Sequence, residues 1–188
     1  MKKAIVVICI LLCACTAFAK TMSLQAGFSI LGMNGGAAFR LSDNVKLGVN
    51  ASGALMTNQA DPSSWLLGQG FVSVDVIKNT GNDLDLRFGL AYLQTKSQNR
   101  LYYDETPVVE ESHLKFAGLT FGVQYSHWFG DNRTHGIYVG IDFPVGGYTS
   151  YYTYGTYEEK GFFFGPLSSM ATLALLGISL RTGYCVQF

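Results

Sequence analysis

The sequence predicts an all-β fold, an eight-stranded antiparallel up-and-down transmembrane β-barrel. Three observations predict it: apolar residues recur at every second position, the alternating segments are long, and their connections alternate between short and long. A tilted strand needs ~9–11 residues to cross a bilayer, whereas the strands of soluble proteins average ~5–6 residues. Short turns at one rim and longer loops at the other are typical of membrane barrels.

The N-terminal segment is predicted to be a signal peptide, at residues 1–19, and not part of the barrel. Two lysines precede an apolar run that ends before Ala17-Phe18-Ala19, a small-x-small pattern that a signal peptidase cuts. A membrane-spanning helix needs ~20 apolar residues, which is longer than this run. We therefore expect cleavage near Ala19 and one mature domain at residues 20–188.

The cysteines and the charges exclude several classes of function. Cys185 is the only cysteine after the predicted signal peptide, so neither an intrachain disulfide nor a thiol metal cluster is predicted. Lipoprotein processing at Cys15 stays open, because the residues before it loosely resemble a lipobox. The predicted mature chain has 11 basic and 13 acidic residues, which gives no electrostatic footprint for nucleic acid. No metal and no cofactor are predicted.

The composition is unusual for a soluble domain. Charged residues make up 14% of the chain, where soluble domains carry ~25%, and aromatic residues also reach 14%. No apolar run of ~18 residues follows the signal peptide, so a helical span is not predicted. The alternating pattern predicts strands at 22–32, 36–42, 45–56, 65–79, 83–95, 113–128, 135–148 and 170–188. The weakest assignment is the first hairpin, placed around Met33-Asn34-Gly35-Gly36.

Two faces alternate along each predicted strand. Leu84 to Tyr92 is the clearest example, with apolar side chains on one face and small or charged ones on the other. The apolar face should meet lipid, while aromatic residues near the strand ends, including Trp65 and Trp128, resemble an interfacial girdle. The charged residues of the other face should form a network in the lumen: Arg40, Lys46, Asp75, Asp85, Arg87, Asp142 and Arg181.

The C-terminal residues resemble the terminal signature of outer-membrane barrels. Tyr184, Val186 and Phe188 alternate and end the chain on an aromatic residue. The resemblance to the small eight-stranded OmpA/OmpX type extends over the mature chain in size and layout. It implies an outer-membrane location among lipid and lipopolysaccharide. It also implies recognition of these three residues by the barrel assembly machinery.

The interpretation of the lumen leaves an alternative open. Buried charges must be paired, and an eight-stranded barrel is just wide enough for side chains to fill it. A packed, hydrogen-bonded interior is therefore the expectation. The alternative is a narrow path for an ion or solute through the same residues.

Enzymatic chemistry has little support in the sequence. Small barrels of the lipid A acyltransferase and deacylase types use a histidine with a serine and an acidic residue near the outer rim. His127 and His135 flank a predicted short turn at the opposite rim, and Ser112 and His113, as neighbours in a strand, point to opposite faces. We therefore predict no catalytic residues and keep a lipid-modifying enzyme as the alternative.

The predicted long loops are the best candidates for recognition. Residues 57–64, 96–112 and 149–168 are expected to be loops at one rim, with the last projecting as a possible ribbon. Tyrosine offers a large contact area at low entropic cost, which suits a binding surface. The candidate surface for an unidentified ligand is Tyr102, Tyr103, Tyr151, Tyr152, Tyr154, Tyr157 and Phe163. The predicted role is surface interaction, adhesion or envelope integrity.

Overall fold

A computed structural model shows a closed antiparallel barrel. It describes residues 21–29, 32–56, 63–79, 81–103, 106–130, 132–153, 157–164 and 179–188. The predicted signal peptide and Cys15 lie outside these ranges, as do the tip of the 57–64 loop and the start of the predicted last strand. Within the described ranges, no helix is long and apolar enough to cross a membrane.

In the described residues, nine antiparallel strands form one sheet that closes on itself. In chain order, each of the first six strands pairs with the strand that follows it. The seventh strand then pairs with the ninth, and the ninth pairs with the first. The ring therefore has eight positions, as predicted, and its connections run up and down. The strands are β1 Thr21–Ser29, β2 Gly32–Arg40, β3 Val45–Met56, β4 Ser63–Lys78, β5 Asn82–Tyr103, β6 Thr106–Phe129, β7 His135–Thr153, β8 Tyr157–Phe164 and β9 Arg181–Gln187.

The two rims of the barrel differ, as the sequence predicts. Short turns at 41–44, 79–81 and 130–134 lie at one rim together with both ends of the described chain. There the Phe188 amide donates to the Met22 carbonyl over 2.8 Å. We call this end the turn rim and the opposite end the hairpin rim. An even number of ring positions brings both termini to the same rim.

The predicted first hairpin is wrong. Met33-Asn34-Gly35-Gly36 lies inside β2 and pairs with β1 and β3, and the connection is at 30–31. Asn-Gly-Gly is a strong turn signal in sequence. Here the glycines instead allow close approach between strands, because a Cβ on Gly36 would lie 2.7 Å from the Val49 carbonyl oxygen.

Two of the predicted loops are largely strand. Residues 96–112 continue β5 and β6 as a ladder that pairs up to Tyr103 and Thr106. Residues 149–153 extend β7, and β8 pairs with its upper half. A polar, Tyr-rich segment without strict apolar alternation does not identify a strand from sequence. The prediction that the last two strands project as a ribbon fits this hairpin.

The eighth ring position is shared by two segments. β8 pairs with β7 at residues 146–153, and β9 pairs with β7 at residues 135–140. The predicted final strand at 170–188 is therefore shorter in the described residues, where it begins at Arg181. β9 also pairs with β1, and this contact closes the barrel.

The outside of the barrel is apolar. Side chains that alternate outward on every ring strand are exposed, and Leu90 reaches 67% exposure. Monomeric soluble proteins rarely show a contiguous apolar surface of this extent. The belt contains Leu24, Phe28, Val49, Leu66, Val72, Val74, Phe88, Leu90, Leu119, Ile137, Val139 and Phe143.

Paired glycines allow β1 and β9 to meet at the closing seam. Gly27 and Gly183 lie opposite each other in the ladder. A Cβ on Gly183 would lie 2.6 Å from the Gly27 Cα and would overlap the Ala26 carbonyl oxygen. The contacts are with backbone atoms, which cannot rotate away as a side chain would.

We expect the substitution Gly183→Val to destabilise the barrel by about 1–3 kcal/mol, because it forces the closing strands apart. Urea unfolding of protein refolded in phospholipid vesicles measures the change. The control is Gly70→Val, whose Cβ meets no atom within 4 Å. Equal stability of the two variants would contradict the role of the seam.

Candidate functional site

A cluster of five charged residues fills the lumen near the turn rim. Lys46 lies between two carboxylates, 2.8 Å from Asp75 and 2.9 Å from Asp85, and Arg40 lies 2.6 Å from Asp75. Asp75 and Asp85 are directly opposite in the ladder of β4 and β5, where like charges destabilise the pair. The Lys46 ammonium offsets this repulsion. Asp83 completes this turn-rim cluster, 3.9 Å from Lys46.

Asp83 is a buried site residue that the sequence reasoning missed. Its side chain is fully buried, accepts a hydrogen bond from the Trp128 indole over 3.0 Å, and pairs with Arg133. The sequence did contain a signal for it, because Asp83 lies two residues before Asp85 and such residues share one face of a strand. Arg133, in the turn between β6 and β7, thus ties that turn to the lumen.

A second polar layer lies in the middle of the lumen. Arg87, 1% exposed, donates to Gln124 over 2.9 Å and stacks on the Phe71 ring with 3.5 Å to its centroid. Arg181 pairs with Asp142, whose second carboxylate oxygen is 3.9 Å from Arg87. The predicted lumen residues are therefore all inside and paired, in two layers rather than one network.

An apolar layer closes the lumen toward the hairpin rim. Trp65, Leu67, Ala91, Leu93 and Phe116 form one buried cluster, with Leu93 and Phe116 almost wholly inaccessible. A partly open cavity lined by residues of both polar layers, including Arg40, Lys46 and Arg87, has about 20 Å³, room for one water molecule. The described lumen is filled by side chains.

Both tryptophans lie inside the barrel, so their assignment to an interfacial girdle is wrong. Trp65 belongs to the apolar layer, and Trp128 packs with Tyr138 and Cys185 while it donates to Asp83. The parity of the strand places both on the inward face, although their position near strand ends resembles a girdle. Tyr92, Tyr125, Tyr184 and Phe188 are exposed on the outside, as a girdle requires.

The proposed loop surface lies on the extended hairpins. Tyr151 and Tyr152 are exposed near the end of β7. Tyr102 and Tyr103 end β5, while Tyr157 and Phe163 belong to β8. Tyr154 lies outside the described residues. Tyr184, Val186 and Phe188, the predicted assembly signal, lie on or directly after β9, and Tyr184 and Phe188 are exposed.

Polar residues on the outer wall of β5 to β7 form a second candidate site at the hairpin rim. Glu111 pairs with Lys96 at 3.5 Å and with His113 at 3.6 Å. The hydrogen bond from Gln98 and the charge of Lys96 hold the pKa of Glu111 below its ordinary value. In the described ranges, no group of three or more histidine, cysteine or acidic residues could hold a metal ion.

A closed antiparallel ring with an apolar outer belt and a charge-paired lumen defines a class of protein. The molecule is a small β-barrel of the outer-membrane type. Such a ring satisfies all backbone polar groups of the sheet internally, as an apolar environment demands.

The comparisons with known proteins give structural similarity alone. The sequence matches no protein-family model and no curated protein. Solved structures with a similar fold include a major outer membrane protein from Thermus thermophilus, with TM-score 0.45 and 10% identity over 89% of this chain and 98% of that one. Ail, the attachment invasion locus protein of Yersinia pestis, has TM-score 0.41 and 8% identity over 89% of this chain and 97% of its own. CarO of Acinetobacter baumannii has TM-score 0.40 and 7% identity over 88% of this chain and 95% of its own.

We expect Lys46→Met to destabilise the barrel by about 3–5 kcal/mol, because removal of one partner leaves buried carboxylates uncompensated. Unfolding in urea from phospholipid vesicles measures the loss. The control is Lys78→Met at the same rim, where the lysine is exposed and donates only to the Asp43 carbonyl at 3.0 Å. The double variant Lys46→Met with Asp85→Asn should recover part of the stability, and no recovery would contradict the proposed charge balance.

We expect the refolded barrel to show no stepwise conductance in a planar lipid bilayer, because side chains fill the described lumen. A general porin reconstituted in the same bilayers is the positive control. Reproducible single-channel steps from folded, heat-modifiable protein would overturn this expectation.

Proposed function

We propose that the chain is a non-enzymatic outer-membrane protein that acts in surface interaction through its hairpin rim. In this proposal the signal peptide is removed near Ala19 and the turn rim faces the periplasm. The observation that carries the role is the unequal length of the strands. β5 and β6 have 22 and 24 residues, whereas β1 and β2 have 9 each.

The projecting part of β5 and β6 has the geometry of a recognition element. β4 pairs with β5 only as far as Ser97, and β7 pairs with β6 only from Ser112. Beyond these positions, in the described residues, the two strands pair with each other alone and form a ribbon with two free edges. A free strand edge offers backbone hydrogen bonds to a partner strand, and alternate side chains supply specificity.

Neighbouring residues on one strand do not pair, which supports a non-enzymatic role for Ser112 and His113. His113 lies near Glu111, and Ser150 lies on the neighbouring strand on the same side of the sheet. Ser112 lies next to His113 on one strand and faces the opposite way, as the sequence predicts.

The closing strand fits the proposed role of the assembly machinery as a partner during biogenesis. β9 is the last strand, and the barrel is complete only when it pairs with β1. Phe188 is 70% exposed at the turn rim, so its ring is accessible from the lipid side.

Replacement of residues 98–111 by an Asn-Gly turn tests the role of the ribbon. Ser97 and Ser112 face each other in the ladder, so a two-residue turn joins them without disturbing the ring. We expect the shortened barrel to fold and cells that display it to lose attachment to protein-coated surfaces and to one another. Attachment assays and sedimentation measure both, with Lys78→Ala at the turn rim as the control.

Two further readouts separate the alternatives. If the shortened variant attaches normally but its cells become sensitive to detergent, the role is envelope integrity and not surface interaction. If mass spectrometry shows a changed acyl pattern of lipid A in cells with the gene, the protein is a lipid-modifying enzyme and the proposal is wrong.

A further inference from the structure

We infer that the outer wall of β5 to β7 binds a phosphate group of a membrane glycolipid headgroup, with Lys115 as the principal cation. This site goes beyond the proposed role of the ribbon in surface interaction. It lies below the ribbon, on the side of the barrel that faces the lipid.

An aromatic row marks the edge of the apolar belt at the hairpin rim. Three aromatic residues and one alanine lie side by side across β5, β6, β7 and β8: Tyr92, Ala117, Tyr148 and Phe162. The rings of Tyr148 and Phe162 pack edge to face with 5.2 Å between their centroids, and Phe162 is 86% exposed. Exposed aromatic residues at this height are typical of the interface between hydrocarbon and headgroups.

A polar row follows two residues further along each strand. Gln94, Lys115 and Ser150 are neighbours on the same face, and Lys160 is opposite Ser150 in the register. Two residues advance a strand by roughly 7 Å, so this row lies at headgroup height if the aromatic row lies at the interface. The change from aromatic to basic and hydroxyl residues therefore coincides with the change in the expected surroundings.

These residues line a concave site. A cavity of about 270 Å³ is bounded by Gln94, His113, Lys115, Ser150 and Tyr152, and the His113 and Tyr152 rings are 6.1 Å apart. This volume lies just below the range of ligand pockets, ~300–1,000 Å³. The lining combines one ammonium group with amide, imidazole and hydroxyl donors, which is the donor set that a phosphate oxygen accepts from.

The Lys115 ammonium is available to a ligand. Lys96, on the neighbouring strand, is paired with Glu111 at 3.5 Å. Lys115 makes no ion pair or hydrogen bond with any residue of the described ranges through its side chain. Glu111 lies two rows further from the membrane and is held by Lys96 and His113, so its charge does not neutralise Lys115.

The position of the site favours a lipid over a soluble phosphate ester. The cavity opens on the outer wall directly above exposed aromatic residues, where the acyl chains of a bound lipid would run along the belt. A soluble anion would gain nothing from the aromatic row. The outer leaflet of an outer membrane supplies a phosphorylated glycolipid, lipid A, at this height.

Titration of the refolded full-length mature barrel with lipid A in maltoside micelles tests the site. We expect Lys115→Gln to weaken binding about fivefold, the effect of roughly one basic residue at an anionic membrane surface, while Lys115→Arg retains binding. The control is Lys78→Gln, an exposed lysine at the turn rim. Native mass spectrometry counts the bound lipid, and a heat-modifiability gel confirms that each variant is folded.

Each remaining arm supports or overturns the assignment. Weaker binding of enzymatically dephosphorylated lipid A to the unmodified protein, with no further loss in Lys115→Gln, supports phosphate recognition. Equal binding of lipid A by Lys115→Gln and the unmodified protein would sink it. Displacement of the lipid by inorganic phosphate at matched concentration would assign the site to a soluble anion, and release of a fatty acid during incubation would make it catalytic. Either result overturns the inference.

Discussion

The structure depends on the closure of the sheet between its first and last strands. Every backbone N–H and C=O group in an apolar environment needs a partner within the protein, and an open sheet leaves two edges without one. The pairing of β1 with β9, from Ser23 with Gln187 to Ser29 with Arg181, removes both edges of the ring. Residues that look ordinary in sequence, such as Gly27 and Gly183, are required because nothing larger fits at this seam.

Closure with eight ring positions determines what the interior can contain. The ring is just wide enough for side chains to fill, so inward charges must find their partners within the protein. The cations Arg40, Lys46, Arg87 and Arg181 accordingly each contact a carboxylate. Toward the hairpin rim the lining changes, since the uncharged side chains of Trp65, Leu93 and Phe116 fill the space. The cavity beside the polar layers, lined in part by Lys46, Asp85 and Arg87, has a volume of about 20 Å³.

The sequence predicted the ring, its two faces and seven of the charged lumen residues, although not Asp83, because each follows from the parity of a strand. It did not predict features that depend on partners across the barrel. The Asn34-Gly35-Gly36 segment continues as a strand, and not as a turn, because it fits beside β3. Trp65 faces the lumen because of its parity along the strand, although it lies near a strand end. The extensions of β5 and β6 were missed because their sequence lacks the strict apolar alternation that identifies a half-buried strand.

A single strand shows how the surroundings select residue types along the barrel axis. β5 begins with Asp83 and Asp85, which face the lumen and are paired there. Phe88 and Leu90 then face outward in the belt, and Tyr92 lies in the aromatic row. Lys96 follows, with its charge balanced by Glu111. Since the backbone is extended throughout, these changes reflect the medium beside each residue. This order is the one expected where hydrocarbon lies beside one part of the strand and a polar layer lies beside the next.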